Sequence, residues 1–367
     1  MTENKRNYGI DLLRIVSMQM IVMLHVLGAG GILGHVAFGS PNYFASWGLE
    51  NLILCAVNCY ALISGYVGIY STFKLKNIVS LWLQVEFYSL GIALLLYFLC
   101  PGVFGVSDIL KSGLPVLFER YWYFTAYFLM FFFVPFMQRF VLGVSKATIV
   151  KFLAIVFVLL SVLPTLVDKD VFYTMNGYSA LWLIVMYILG AAIRHHGLWQ
   201  KKSAAFYLGI FGGVIACNWI VKFGLAYLSI RLTGAENAHT NVLLEYTSPT
   251  IIAASVMLLI LFSKFNLGKV SLTVVKFLSP LTFGVYLIHM QPMLWTLFGE
   301  SPFAYLVEYP IYKAAPWFVG IVVSVYLACS LLEWVRRLLF RLLHVPAFEA
   351  WVSEKAYCLW NRLLTRL

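Results

Sequence analysis

Charge is what this chain has least of. Only 11% of its 367 residues are Asp, Glu, Lys or Arg, and 15 acids stand against 26 Lys and Arg. Soluble domains carry about 25% charged residues, so the composition excludes an ordinary soluble globular protein. Internal repeats, low-complexity linkers and any polar stretch long enough for an appended soluble domain are also missing. Cysteine is sparse: no pair among positions 55, 59, 100, 217, 329 and 358 has metal-ligand spacing with a histidine, so no metal is implied. Cys55 and Cys59 share a helix face and read as packing. The net charge of +11 does not imply nucleic acid, because the bases stand singly between apolar runs.

Hydrophobic residues make up 62% of the chain, and 29 Phe, 22 Tyr and 11 Trp are enough to line several membrane interfaces. Mean hydropathy is +0.87. Ten runs are long enough to span: 9–30, 49–70, 78–99, 122–142, 149–167, 178–194, 204–228, 247–264, 278–298 and 314–333. Clusters such as GSPNYF (39–44) and LTGAENAHTN (232–241) punctuate the gaps as loops. The fold expected is an all-α polytopic membrane protein of about ten transmembrane helices. Lys5 and Arg6 precede the first run as they would a signal peptide, but its Gly-rich exit has no clean cleavage site, so a retained helix is expected.

The charges fix an orientation. Lys5, Arg6, Lys74, Lys76, Arg139, Lys146, Lys151, Arg194, Lys201, Lys202, Lys264, Lys269 and Lys276 fall on one side, with the basic tail from Arg336. The opposite loops hold few bases and most of the acids, among them Glu50, Asp108, Glu119, Asp168, Asp170, Glu236 and Glu245. The positive-inside rule then makes both termini cytoplasmic. One membrane domain fills residues 1–335; residues 336–367 form a basic amphipathic helix expected on the inner membrane surface, where anionic lipid attracts it.

Inside the first run, YGIDLLRIVSMQMIVMLHV, Arg14 and His25 lie eleven positions apart. Eleven helical steps come to about 1100°, so the two side chains share a face to within about 20° and are separated by roughly 16 Å. Ionisable groups at membrane depth are costly and usually face a bundle interior or a wet cavity. An aligned pair therefore marks a candidate site. Asp11, three residues before Arg14, is placed to pair with it. Glu86, Lys222 and His289 are the other ionisable groups at depth; Glu86 and Lys222 read as a structural ion pair, and His289 as a packing hydrogen bond or a site residue. FKLKN (73–77) sets Lys74 and Lys76 where the positive-inside rule explains them, or where they attract an anionic cofactor. ERYWYFTAY (119–127) opens the fourth run with Glu119 and Trp122, read as interfacial anchors or as a place for a carbohydrate to stack.

Taken together these residues carry a resemblance. The first run resembles the opening helix of the acyltransferase-3 family of integral-membrane O-acyltransferases, marked by Arg, ten residues, then His. CYALISGYVGIYSTFKLKN (59–77), YWYFTAYFLMFFFVPFM (121–137) and FGVYLIHMQPML (283–294) are similar to later family segments, in order. The resemblance implies ten helices with both ends cytoplasmic, and transfer of an acyl group, commonly acetyl, from coenzyme A to hydroxyls of extracytoplasmic glycans. It implies a bacterial inner-membrane enzyme using acetyl-CoA without a metal, with a glycan or lipid-linked glycan acceptor and glycan-assembly proteins as partners. His25 and Arg14 would be catalytic, and Arg14, Lys74 and Lys76 would hold coenzyme A. Trp122, His289 and Glu119 are candidates for acceptor binding. Many members have arginines where this chain has Lys74 and Lys76; lysine keeps the charge but loses the bidentate fork on phosphate. His25 would act as general base or accept the acyl group itself. The competing class is a secondary transporter or lipid-linked-sugar flippase, which also uses intramembrane charges.

Overall fold

The structure is a computed structural model, and it describes residues 6–364. Among the described residues it is all helical, with no strand. The chain starts with α1 (Tyr8–Leu27), α2 (Pro41–Ile53), α3 (Ala56–Gly68), α4 (Leu75–Leu99) and α5 (Trp122–Gly143). Next come α6 (Lys146–Phe157), extended by a π turn and a last turn to Val167, then α7 (Ala180–His196) and α8 (Ala204–Thr233). The remainder is α9 (Pro249–Ser263), α10 (Lys269–Leu278), α11 (Thr282–His289), α12 (Pro292–Phe298), α13 (Ile311–Leu342) and α14 (Val345–Leu364). Local chemistry starts the helices: Ser40, Ser145, Ser179 and Ser203 each cap a helix N-terminus through the side chain, and Asn7 accepts from the amides of Gly9 and Ile10 to start α1.

Eight helical stretches are long and apolar enough to cross a membrane; α7 and α9 are shorter apolar helices of 17 and 15 residues. Each of the ten apolar runs falls on one of these ten stretches, and the chain is a multi-pass membrane protein. Two boundaries differ from the sequence reading. The second stretch begins at Pro41, inside GSPNYF, because Ser40 caps it and Pro41 at its first position needs no amide partner; it turns at Leu54–Cys55 between α2 and α3. The ninth run is not one helix from 278 to 298. It starts early, at Lys269, passes through a 3₁₀ turn at Ser279–Leu281 and stops at His289, since Pro292 holds the residue before it, Gln291, in extended geometry.

α1 is the hub, packed against α2, α3, α9, α10, α11 and α13. The most extensive helix–helix contact is that of α3 with α7. Two glycines make that approach possible. A Cβ on Gly65 would strike the carbonyl of Tyr187, and one on Gly190 would strike the carbonyl of Leu62. Cys55 and Cys59 are buried thiols in this core, facing the carbonyls of Leu52 and Ser255. α14 packs along α4.

Candidate active site

The packing of α1 against α11 brings two histidines together. His25 Nδ1 lies 2.9 Å from His289 Nε2, with ring centroids 5.1 Å apart. Because α11 ends at His289, its ring folds back onto its own helix, and Nδ1 sits 2.5 Å from the carbonyl of Val285. A carbonyl only accepts, so His289 carries its proton on Nδ1. With both rings neutral, His289 Nε2 then offers a lone pair, His25 Nδ1–H donates to it, and His25 Nε2 is left unprotonated. That nitrogen is a positioned base or nucleophile. Trp295 donates to the carbonyl of His289 at 2.7 Å and fixes the broken end of the helix.

His25 lines a small cavity. Tyr60 from α3, Trp122 and Tyr123 from α5, Tyr286 from α11 and the loop residue Tyr246 form half of its wall. The hydroxyls of Tyr60 and Tyr123 are buried without a hydrogen-bond partner, so two residues of the cavity wall keep unused donors. Such groups are what a reacting oxygen needs around it.

Lower on the same face, Arg14 Nη1 lies 3.1 Å from Asp11 Oδ1 and 3.4 Å from Ser279 Oγ. Asp11 also accepts from Arg6 Nε at 2.6 Å and from Ser279 Oγ at 3.3 Å. The pairing of Asp11 with Arg14 read from their spacing is present. The buried carboxylate is satisfied, while the Arg14 side chain stays 27% exposed. Arg14 is held at Asp11 and Ser279 and is not a wall of the His25 cavity.

Lys74 and Lys76 line a different, much larger cavity, between the start of α4, the end of α5 and α14. Arg139 completes three cations there, with Phe132, Phe133 and Phe136 beside them. Arg139 was legible only as a positive-inside charge. Glu119 sits exposed in the turn before α5, at φ 45°, and is a wall of neither cavity. Trp122 does reach the His25 cavity.

Glu86 and Lys222 do not pair. Lys222 donates to Glu236, to Thr240 Oγ1 at 3.0 Å and to Asn241 Oδ1 at 2.7 Å, all from the loop after its own helix, with Trp47 under the ammonium at 3.9 Å. The Glu86 carboxylate keeps a buried oxygen without a partner. A long flexible lysine finds the nearest loop carboxylate sooner than a glutamate on another helix. Sequence reasoning also passed over Tyr60, Tyr123, Tyr246 and Tyr286, because tyrosines in membrane proteins read first as interfacial belts. Among the described residues no group of three or more His, Cys, Asp or Glu side chains is placed to hold a metal ion.

No curated protein and no solved structure matches the chain. A family model described as an acyltransferase domain matches residues 7–334, nearly all of it. The match takes in the Arg14–His25 helix, the tyrosine-lined cavity and the His289 break, so the chain belongs to the acyltransferase-3 family and is a membrane acyltransferase.

Proposed function

We propose that the protein moves an acyl group, acetyl in the simplest case, from cytosolic acyl-CoA to a hydroxyl of an extracytoplasmic or lipid-linked glycan, in a bacterial inner membrane with both termini cytoplasmic. The observation that carries this reading is the His25–His289–Val285 chain, which leaves one imidazole nitrogen unprotonated inside a cavity of unpartnered tyrosine hydroxyls.

Coenzyme A is the group carrier, and the protein's share is orientation and proton handling. Lys74, Lys76 and Arg139 attract the nucleotide phosphates at the cytosolic end, and Arg14 adds a further cation on α1. His25 Nε2 takes the proton of the acceptor hydroxyl as its oxygen attacks the thioester carbonyl. The hydroxyls of Tyr60 and Tyr123 donate to the oxyanion. Collapse breaks the carbon–sulfur bond, and the leaving thiolate takes the proton from His25, giving the ester and free coenzyme A. The two-step variant, in which Nε2 carries the acyl group, uses the same atom.

The test is release of coenzyme A thiol by purified protein in nanodiscs supplied with acetyl-CoA and a polysaccharide acceptor. Release that depends on acceptor supports the reading. Neither release nor binding of acetyl-CoA would favour the transporter or flippase class instead.

A further inference from the structure

α14 (Val345–Leu364) lies beyond residues 7–334, which the family model matches, and has no role in the chemistry described so far. The chain turns into it at His344, at φ 54°, and the helix packs against α4 and α13. Ala350, Ser353, Glu354 and Tyr357 stand at i, i+3, i+4 and i+7, so they share one helix face. That face lines the cavity that holds Lys74, Lys76 and Arg139. Phe348 and Trp351 lie outside the cavity wall and are exposed, with ring centroids 6.1 Å apart and stacked at 26°. An exposed aromatic pair on an amphipathic helix suits a membrane interface. α14 is thus built with a membrane anchor on one side and a cavity wall on the other.

The wall contains three kinds of group. Lys74, Lys76 and Arg139 supply three cations. Rings come from both sides, Phe132, Phe133 and Phe136 from α5 and Tyr357 from α14. Phe136 is 67% exposed and Tyr357 59%, so each keeps ring surface that the chain does not cover. Among the described wall residues Glu354 is the one acid, and it has no ion-pair partner among the described residues. A carboxylate repels phosphate and accepts hydrogen bonds, so its place in this wall suits a group that donates.

Coenzyme A carries a complement for each kind: phosphates, a flat purine and an amine on that purine. We propose that α14 completes the donor site as the wall that reads the base, with Tyr357 and the α5 phenylalanines clasping the adenine ring and Glu354 accepting from its amine. The rings cover the purine faces. The carboxylate takes the amine as carboxylates do at an exocyclic base amine. Lys74, Lys76 and Arg139 are left to the phosphates. A purine with a carbonyl in place of the amine sets oxygen against oxygen at Glu354. This rests on acyl-CoA being the donor, and adds the residues outside the matched domain that recognise its nucleotide.

The probes are acetyl-CoA, adenosine 3′,5′-bisphosphate and inosine 3′,5′-bisphosphate, titrated calorimetrically into the full-length protein in phosphatidylcholine nanodiscs. A lipid without net charge keeps anionic headgroups from competing for the cations. Wild-type protein is expected to bind the adenosine compound about fivefold more tightly than the inosine one, or better, the scale of one hydrogen bond lost. Tyr357→Ala should weaken the adenosine compound about fivefold or more, and Tyr357→Phe should stay within about twofold of wild type, since stacking needs only the ring. Glu354→Gln should cut the preference for adenosine to about twofold or less, because its amide can turn either end to the base. Lys355→Ala, on the far face of α14, should change neither affinity. All four variants should keep the wild-type kcat at saturating acetyl-CoA, which also reports that they fold. Unchanged binding in Tyr357→Ala overturns the assignment, as does a wild-type preference retained in Glu354→Gln. A loss in Lys355→Ala equal to that in Tyr357→Ala also overturns it, because it marks a displaced helix. Wild-type protein that binds acetyl-CoA but does not distinguish the two bisphosphates overturns the role of α14 alone. Failure to bind acetyl-CoA at all overturns the donor reading on which it rests.

Discussion

Replacing His289 tests whether the histidine pair works as a unit. His289→Leu roughly fills the ring's volume but removes both the lone pair facing His25 Nδ1 at 2.9 Å and the tie to Val285. The Nδ1–H of His25 is then a buried donor without an acceptor, a cost of about 1–3 kcal/mol. At 1.36 kcal/mol per decade, a loss of that size in the transition state lowers kcat by about 5- to 150-fold. General-base catalysis as a whole contributes about 10²–10⁴, so His289→Leu should fall between wild type and His25→Ala. His289→Gln is the control. Its amide oxygen can stand close to where Nε2 stood and accept from His25, so kcat should recover to within about tenfold of wild type, on the scale of one hydrogen bond with imperfect geometry. The assay is coenzyme A thiol release at saturating acetyl-CoA, with its KM expected to stay constant. Full activity in His289→Leu beside a dead His25→Ala would refute the orienting role. A dead His289→Gln with normal acetyl-CoA binding would also count against it.

Three further outcomes follow from the packing and charge. Gly190→Ala places a methyl against the backbone carbonyl of Leu62; overpacking of this kind costs about 1–3 kcal/mol and should lower the melting temperature in detergent, whereas Gly209→Ala, which meets nothing, should not. Removing Lys74 and Lys76 together should raise the KM for acetyl-CoA with little change in kcat, and the wild-type KM should rise with salt while the variant's rises less. Glu245 lies in the loop between α8 and α9, outside the spans, where burial and the charges of Asp168 and Asp170 push its carboxyl up to about 7. The folded protein thus keeps a proton that the unfolded chain loses in the ordinary carboxylate range. Stability from this group is therefore lost as pH rises from about 4.5 to 7. Glu245→Gln should melt higher than wild type at pH 8 and not at pH 4; an equal difference at both would contradict the shift.

Much of the architecture was legible because it is written in local pattern. Ten apolar runs correspond to ten helical stretches, and the eleven-position spacing of Arg14 and His25 sufficed to align them. The pairing of His25 with His289 was not legible, since it joins positions 264 apart and depends on which spans touch. The break that aims His289 did leave a sign in Gln291–Pro292. The second run was begun at 49 because GSPNYF reads as punctuation; Ser40 followed by Pro41 is also a helix start, and weighing it that way would have begun the helix at Pro41. The tyrosines around the cavity gave no warning, because the same residue type serves at interfaces and at sites.

The central claim is that His25 Nε2 does the chemistry. Its most direct test is acetyl transfer by His25→Ala and Arg14→Ala variants that reach the membrane at wild-type levels. The account predicts that His25→Ala still binds acetyl-CoA but releases no coenzyme A above background, while Arg14→Ala is impaired mainly in acetyl-CoA KM. Wild-type turnover by His25→Ala would contradict it.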